Sequence, residues 1–356
     1  MRSVQRYVED HPEDLAEAYE QMRPLRHLEI EVRLDWRCNA KCKFCGVWKY
    51  SREGMLPVER WQKVFAELAG FGLRYTLFTG GEPLLYPHFL DVIDHVDELD
   101  VETAVITNGS LLDEARVRHL AGLRWLREIT VSLDSPDPQV HDAVRKMRGL
   151  FKRATDGMAR LRQLAPHVSL TVNTVVSADT VATVSDMLSL PVLPDKIRIF
   201  PVGLDMPWLD SLTASPDTGW SSWAAEAKTQ VISADARVRA REALARVYHE
   251  ADRFGVAVEI DRMEHRGPFR GVCVVPLAHF VIQPDGDVLP CCHIQERASR
   301  IGRLSSQSVS DMLRSEEYRA FQRTLRPVQS PACFACSRYR AFNQVAQGVL
   351  DSTRSA

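Results

Sequence analysis

The sequence predicts an α/β fold: a parallel sheet or partial barrel, followed by a smaller second module. Three observations carry this. Strand and helix patterns alternate from residue 28 to residue 202, the alternation stops after Val202, and the eight cysteines fall into an early and a late group with none between.

Residues 8–22 read as a short amphipathic helix, and His27–Leu34 alternates like a half-buried strand. Tyr75–Thr79, Thr103–Thr107, Glu128–Leu133, Ser169–Val176 and Lys196–Val202 are five further strands, rich in β-branched and other apolar residues. Helical patterns occupy Pro57–Leu68, Phe89–Glu98, Leu112–Leu120, Phe151–Leu164 and Val181–Leu190. Strands that alternate with helices in this way form parallel sheets, and ligands of such sheets collect at the carboxyl ends of the strands. Beyond Val202, Leu204–Asp217 reads as a loop, Ser222–Phe254 as a long helical stretch and Val256–Ile260 as a strand. Pro284-Asp285-Gly286-Asp287 between Ala278–Gln283 and Val288–Pro290 signals a hairpin. Ser308–Arg323 and Ser337–Val349 read as helices. The expected division is an N-terminal helical extension (1–27), a partial (β/α)6 TIM-like barrel (28–204), a helical connection (205–270), and a hairpin-plus-helix module (271–356).

The chain's 356 residues have room for about two domains. Its 45% hydrophobic and 26% charged residues are ordinary for a globular protein. A net charge of −2 gives no bulk field toward nucleic acid or an anionic membrane, so neither is an expected partner. The first ten residues carry charge where a signal peptide needs an apolar segment, and no apolar run of about 18 residues occurs. A cytoplasmic location is therefore expected. In a reducing compartment, clustered cysteines point to metal or redox chemistry rather than disulfides.

Cys38-Asn-Ala-Lys-Cys42-Lys-Phe-Cys45 directly follows the first strand. Three thiolates on one tight loop can hold three irons of a cubane cluster, leaving one iron open to a ligand. The alternative is structural zinc, which takes four ligands at Cys and His spacings unlike this one. Thr79-Gly80-Gly81-Glu82-Pro83 ends the second strand; its glycines allow close backbone approach, and Glu82 can accept hydrogen bonds from an ammonium group. As a bare turn the same segment has a purely structural reading. Thr107-Asn108-Gly109 ends the third strand, Ser132-Leu-Asp134 the fourth, and Asn173 lies in the fifth.

With these residues the chain resembles the radical S-adenosylmethionine (SAM) superfamily, whose signature is Cys-x-x-x-Cys-x-x-Cys with an aromatic, here Phe44, before the last cysteine. The resemblance implies that Cys38, Cys42 and Cys45 ligate a [4Fe–4S] cluster. Its open iron would chelate the amino and carboxylate groups of SAM, and one electron would split SAM to a 5′-deoxyadenosyl radical. It further implies SAM contacts from Gly80, Gly81, Glu82 and Pro83, and from Asn108, Ser132, Asp134 and Asn173. Arg145 resembles an arginine that some members place on the SAM carboxylate; a solvated helix arginine is the equal alternative. Flavodoxin or ferredoxin is the implied electron donor.

Cys273, Cys291 and Cys333-Phe-Ala-Cys336 form the second group. Their spacing resembles the SPASM and twitch domains that bind auxiliary [4Fe–4S] clusters, which implies one cluster held by Cys273, Cys291, Cys333 and Cys336. A four-cysteine zinc ribbon has nearly the same sequence chemistry. Cys292 is left over: it could exchange with Cys291 as ligand, sit inert, or donate a hydrogen atom to a substrate radical. Short single-auxiliary-cluster relatives that the chain resembles include 2-deoxy-scyllo-inosamine dehydrogenase and radical SAM sugar epimerases. They imply oxidation or epimerisation of a carbohydrate- or cyclitol-like small molecule, in natural-product or antibiotic biosynthesis. The alternatives are peptide or protein modification and a non-catalytic metal-binding scaffold. The substrate pocket is expected over the strand ends, between the loop after Val202 and the second module, with Trp208, Asp205, His279 and Arg270 as candidate lining residues that sequence alone does not place.

Overall fold

A computed structural model of the chain describes residues 2–49, 54–202, 220–260, 269, 271–292, 294, 299–329, 333 and 339–355. The strands are β1 (Leu28–Arg33), β2 (Leu73–Thr79), β3 (Glu102–Thr107), β4 (Leu126–Ser132), β5 (Ser169–Val176), β6 (Lys196–Pro201) and β7 (Ala257–Ile260), then β8 (His279–Ile282), β9 (Asp287–Leu289) and β10 (Gly302–Arg303). They form one ten-stranded sheet in the order β10-β9-β8-β1-β2-β3-β4-β5-β6-β7. From β1 to β7 every neighbouring pair is parallel. Parallel neighbours need crossovers, and helices such as Val58–Gly70, Phe89–Glu98 and Leu150–Leu164 supply them. Ile30, Val32, Phe78, Val105, Ile129, Val131, Val172 and Ile197 share one buried core with Trp61, Phe65, Val92 and Met158 of those helices. Each fully buried side chain of this size stabilises the fold by about 1.5–3 kcal/mol. The predicted α/β architecture with a partial TIM-like barrel is the observed one.

The alternate residues of the same strands face the other side of the sheet, the lumen of the partial barrel. There the sequence places Glu29, Glu31 and Arg33 on β1, Glu128 on β4, Arg198 on β6 and Glu259 on β7; Glu31 is level with Glu128 through Leu77 and Ala104, and Arg198 pairs with Glu259. The lumen is therefore polar where the helix-facing side is apolar.

Several local expectations change. The predicted helix 8–22 is two helices, Arg2–Asp10 and Pro12–Gln21, because Pro12 cannot continue a backbone hydrogen-bond ladder and instead opens a new helix. Residues 222–254 also divide, into Trp220–Thr229 and Ala234–Ala251, where Ser233 caps the second by accepting from Ala236 N–H at 3.2 Å. Val181–Leu190 yields only a 3-10 segment, Val184–Ser189. Ser315 caps a new helix and so splits 308–323. The final helix, Arg340–Ser355, starts and ends later than predicted. The loop at 204–217 lies outside the described residues.

The hairpin β8–β9 is present, with Gly286 at φ +85° in its turn. It does not stand apart: β8 pairs parallel with β1, so the second module extends the barrel sheet. All four β8 residues are buried, as a strand covered on both faces requires. The N-terminal helices likewise are no free extension. Val4, Val8, Leu15, Ala18 and Leu25 share an apolar core with Val275, Leu277, Phe342, Ala346 and Leu350 of the last module. No described helix is long and apolar enough to cross a membrane.

Candidate active site

The cysteine loop leaves the carboxyl end of β1 and is clasped by the end of β2. Gly81 N–H donates to Asp35 O at 3.0 Å, and Glu82 N–H to Arg37 O at 2.8 Å. A Cβ on Gly81 would meet Arg37 O at 2.1 Å, and one on Gly80, at φ +122°, would meet Asp35 O at 2.9 Å. The two glycines thus admit the backbone that leads into the cysteines, a closer role than the ligand approach expected from sequence. Pro83 opens a short 3-10 turn behind them.

Glu82 is fully buried. Its Oε1 accepts from Thr107 Oγ1 at 2.7 Å and Leu84 N–H at 3.2 Å, and its Oε2 from Asn108 N–H at 2.7 Å. Three donors leave a carboxylate with acceptor capacity for about one more. Burial pushes its pKa up to about 7, against the pull of those hydrogen bonds. An arriving ammonium group would favour the ionised form. Asn108 Nδ2 donates to Asn39 Oδ1 at 2.7 Å and lies 3.9 Å from Cys38 Sγ, and Asn39 Nδ2 donates to Ser110 Oγ at 2.9 Å. This network ties the cysteine loop to the end of β3.

Arg145 is not a solvated helix arginine. It ends the helix Pro138–Arg145, is 7% exposed, and grips the fully buried Asp134 through Nε–Oδ2 at 2.7 Å and Nη2–Oδ1 at 2.9 Å. Its carbonyl accepts from Lys41 N–H at 3.2 Å, Val144 O accepts from Lys43 N–H at 2.9 Å, and its guanidinium sits 5.9 Å from the Phe44 ring centroid. Asp134 also accepts from Val175 N–H at 3.0 Å. Asp134 and Arg145, both expected from sequence to contact SAM, form a mutual ion pair that reaches the loop as a unit.

Cys42 is buried with Ala40 and Leu150, and Cys38, Cys45, Phe44 and Met147 pack against them. Burial pushes the Cys38 thiol up to about 11 and Cys42 up to about 12, and raises Cys45 as well; the charge of Arg145 opposes all three shifts. Positive metal charge would release these protons. At the next strand ends Ser132 and Asn173 are register partners, and Asn173 Oδ1 is buried with no hydrogen-bond partner. Such an orphan needs a ligand or water. Grouped thiols, an acceptor with spare capacity and an orphaned amide oxygen fit an iron–sulfur cluster carrying a polar ligand.

Below this rim the lumen holds ion pairs that sequence reasoning missed. Arg198 forks onto Glu128 at 2.7 and 2.9 Å and donates to Glu259 at 3.2 Å, and Arg33 donates to Glu31 at 3.0 Å. The signal was available as charges at alternate positions in Leu28-Glu-Ile-Glu-Val-Arg33 and in Lys196-Ile-Arg198.

In the second group, Cys273, Cys291 and Cys333 line one apolar cavity together with Phe269, Ile294, Leu325 and Val328. Cys336 lies outside the described residues, as do Asp205, Trp208 and Arg270. Cys292 is off that cavity, with Sγ 3.3 Å from Tyr339 Oη. The open choice between Cys291 and Cys292 thereby favours Cys291. His279 does not line a pocket at the strand carboxyl ends. It starts β8, at the opposite end of the sheet, buried between Glu29 O at 2.9 Å and Tyr339 Oη at 3.2 Å.

Residues 37–190 match the family described as the Radical SAM superfamily, and residues 273–337 match the SPASM family, an iron–sulfur cluster-binding domain. The chain belongs to the radical SAM superfamily. Among its relatives, the PqqA peptide cyclase of Rhodopseudomonas palustris is 27% identical over 174 residues, 48% of this chain and 45% of that protein. The subtilosin biosynthesis protein AlbA of Bacillus subtilis is 30% identical over 125 residues, 35% of this chain and 28% of that protein. The matched region thus spans less than half the length of either. The structure of Streptococcus suis SuiB bound to S-adenosylmethionine superposes with a TM-score of 0.66 at 14% identity, covering 91% of this chain and 73% of that one. The fold is shared over 91% of this chain, and its two family domains imply SAM and two iron–sulfur clusters as cofactors.

Proposed function

We propose that this radical SAM enzyme modifies a peptide. Cys38, Cys42 and Cys45 hold the SAM-binding cluster, and Cys273, Cys291, Cys333 and Cys336 hold the auxiliary one. When bound, SAM and its reduced cluster supply a 5′-deoxyadenosyl radical that removes a hydrogen atom from substrate. The chain's own part is positional. Glu82 takes the SAM ammonium in its remaining acceptor site, and Ser132 and Asn173 offer polar contacts at the neighbouring strand ends. The Asp134–Arg145 pair fixes the backbone of the cysteine loop, and the ion-paired lumen receives the reacting part of the substrate.

The observation that carries the peptide reading is the pairing of a radical SAM domain and a SPASM domain with relatives named for peptide chemistry, a PqqA peptide cyclase and a bacteriocin biosynthesis protein. Oxidation or epimerisation of a carbohydrate-like molecule, expected from sequence, gains no support from these relatives.

The test is anaerobic turnover with a uniformly deuterated peptide mixture and, in parallel, deuterated polyols. Deuterium in 5′-deoxyadenosine from the peptides alone is the expected result. Transfer from the polyols alone would overturn the reading.

A further inference from the structure

We propose that Asn343 is an electrostatic tuning residue for the auxiliary cluster, raising its reduction potential through an N–H donated to the sulfur of Cys273. The inference rests on the reading above that this site holds an iron–sulfur cluster.

Asn343 lies in the first turn of the final helix, where its N–H donates to Tyr339 O at 2.9 Å. Its side chain is 2% exposed and lines the same cavity as Cys273, Cys291 and Cys333. Nδ2 stands 3.4 Å from Cys273 Sγ, and Oδ1 accepts from Val274 N–H at 3.0 Å. The second contact fixes the first. A flipped amide would set N–H against the Val274 N–H, so the NH2 group must face the sulfur. Cys273 is held on its own side by donation from its N–H to Leu325 O at 3.1 Å. Donor and sulfur are thus both anchored by backbone one residue apart, which leaves little freedom for the contact to open.

A reduced cluster carries one more negative charge than an oxidised one. A hydrogen-bond donor on a ligating sulfur therefore stabilises the reduced state more, and the potential rises. The apolar wall strengthens the effect, because little water competes for the sulfur. The first cysteine site offers a weaker counterpart: Asn108 Nδ2 stands at 3.9 Å from Cys38 Sγ and donates to Asn39 Oδ1 at 2.7 Å.

The experiment is a redox titration followed by low-temperature electron paramagnetic resonance. It uses the full chain with Cys38, Cys42 and Cys45 replaced by alanine, so that only the distal cluster contributes. Asn343→Leu removes the donor, and Asn343→Asp removes it while keeping an acceptor for Val274 N–H and adding negative charge. Asp also guards against a Leu variant that fails to fold. The midpoint should fall in the order Asn, Leu, Asp. Loss of one hydrogen bond to a charged group should change the reduced-to-oxidised ratio at fixed potential by about tenfold, or about 59 mV for one electron. Both variants titrating with the parent midpoint would overturn the tuning role. An Asn343 parent with no cluster signal would overturn the auxiliary-cluster reading instead, and the inference with it.

Discussion

Around Cys42 the sulfur atoms share their surroundings with ionisable and polar groups: the Asp134–Arg145 pair, the buried carboxyl of Glu82 and the amides of Asn39 and Asn108. Around Cys333 they are enclosed by Phe269, Ile294, Leu325 and Val328, with Asn343 as the nearby amide. Both sites belong to one continuous sheet, yet they are built for different tasks. On the function proposed above, the first keeps an iron open to a zwitterionic ligand, and its buried polar groups face that task. The second, with four cysteines in its sequence set, needs enclosure. On that proposal, buried polarity marks the ligand-binding site of the two.

The contrast can be broken most forcefully at Asp134. Asp134→Asn leaves Arg145 buried without its counter-charge, which should cost about 3–5 kcal/mol of stability in denaturant titration. Replacing both residues by apolar ones of similar size should cost less than the single change. If the double variant loses more, the pair is not the coupled unit described.

A smaller effect is expected at Glu82. Glu82→Gln should weaken SAM binding about 10- to 100-fold, the scale of one hydrogen bond to a charged group, as read by calorimetry on reconstituted protein. Unchanged affinity would remove Glu82 from the site. The pH dependence sharpens the point. In the fold Glu82 releases its proton at about 7, above its ordinary 4.5. The folded chain therefore holds the extra proton between these values. Its contribution to the stability of the SAM-free protein is present below 4.5 and lost as pH rises through about 7. SAM binding runs the other way, because the ammonium needs the ionised carboxylate, so affinity should fall as pH drops below about 7. An affinity flat from about pH 8 to about pH 6 would contradict this.

The smallest effect is expected at Cys292. Cys292→Ala should leave iron content unchanged, whereas Cys291→Ala should lose the auxiliary cluster. The reverse result would exchange the two cysteines in the account.

The order of strands and helices through residue 202 was legible because parallel strands covered by helices carry a strong apolar period, as in Ser169–Val176. The cysteine triad and Gly80-Gly81-Glu82 were legible from their spacing and position. The Asp134–Arg145 pair was not: eleven residues separate its members, and nothing local says that a helix arginine turns inward. Pro12 and Ser315 were readable as helix starts but lay inside longer amphipathic patterns that masked them. The pairing of β8 with β1 is a contact between Glu29 and His279, far apart in the chain, which no local period encodes. His279 fell at the wrong end of the sheet for the same reason, because its placement depends on that pairing. Charges at alternate positions of β1 and β6 announced charged groups on the lumen face, but the Arg198–Glu128 contact is diagonal, since Arg198 is level with Asn173 and Glu128 with Ser169, and no local period encodes it.

The most direct test of the central claim, that the two cysteine groups are separate sites and only the first cleaves SAM, is the Cys38/Cys42/Cys45→Ala triple variant. Iron and 5′-deoxyadenosine would be measured on one anaerobic preparation. The account predicts that iron falls from about eight to about four atoms per chain, as loss of one of two cubane clusters requires, and that 5′-deoxyadenosine disappears. Continued formation of 5′-deoxyadenosine, or loss of all iron, would contradict it.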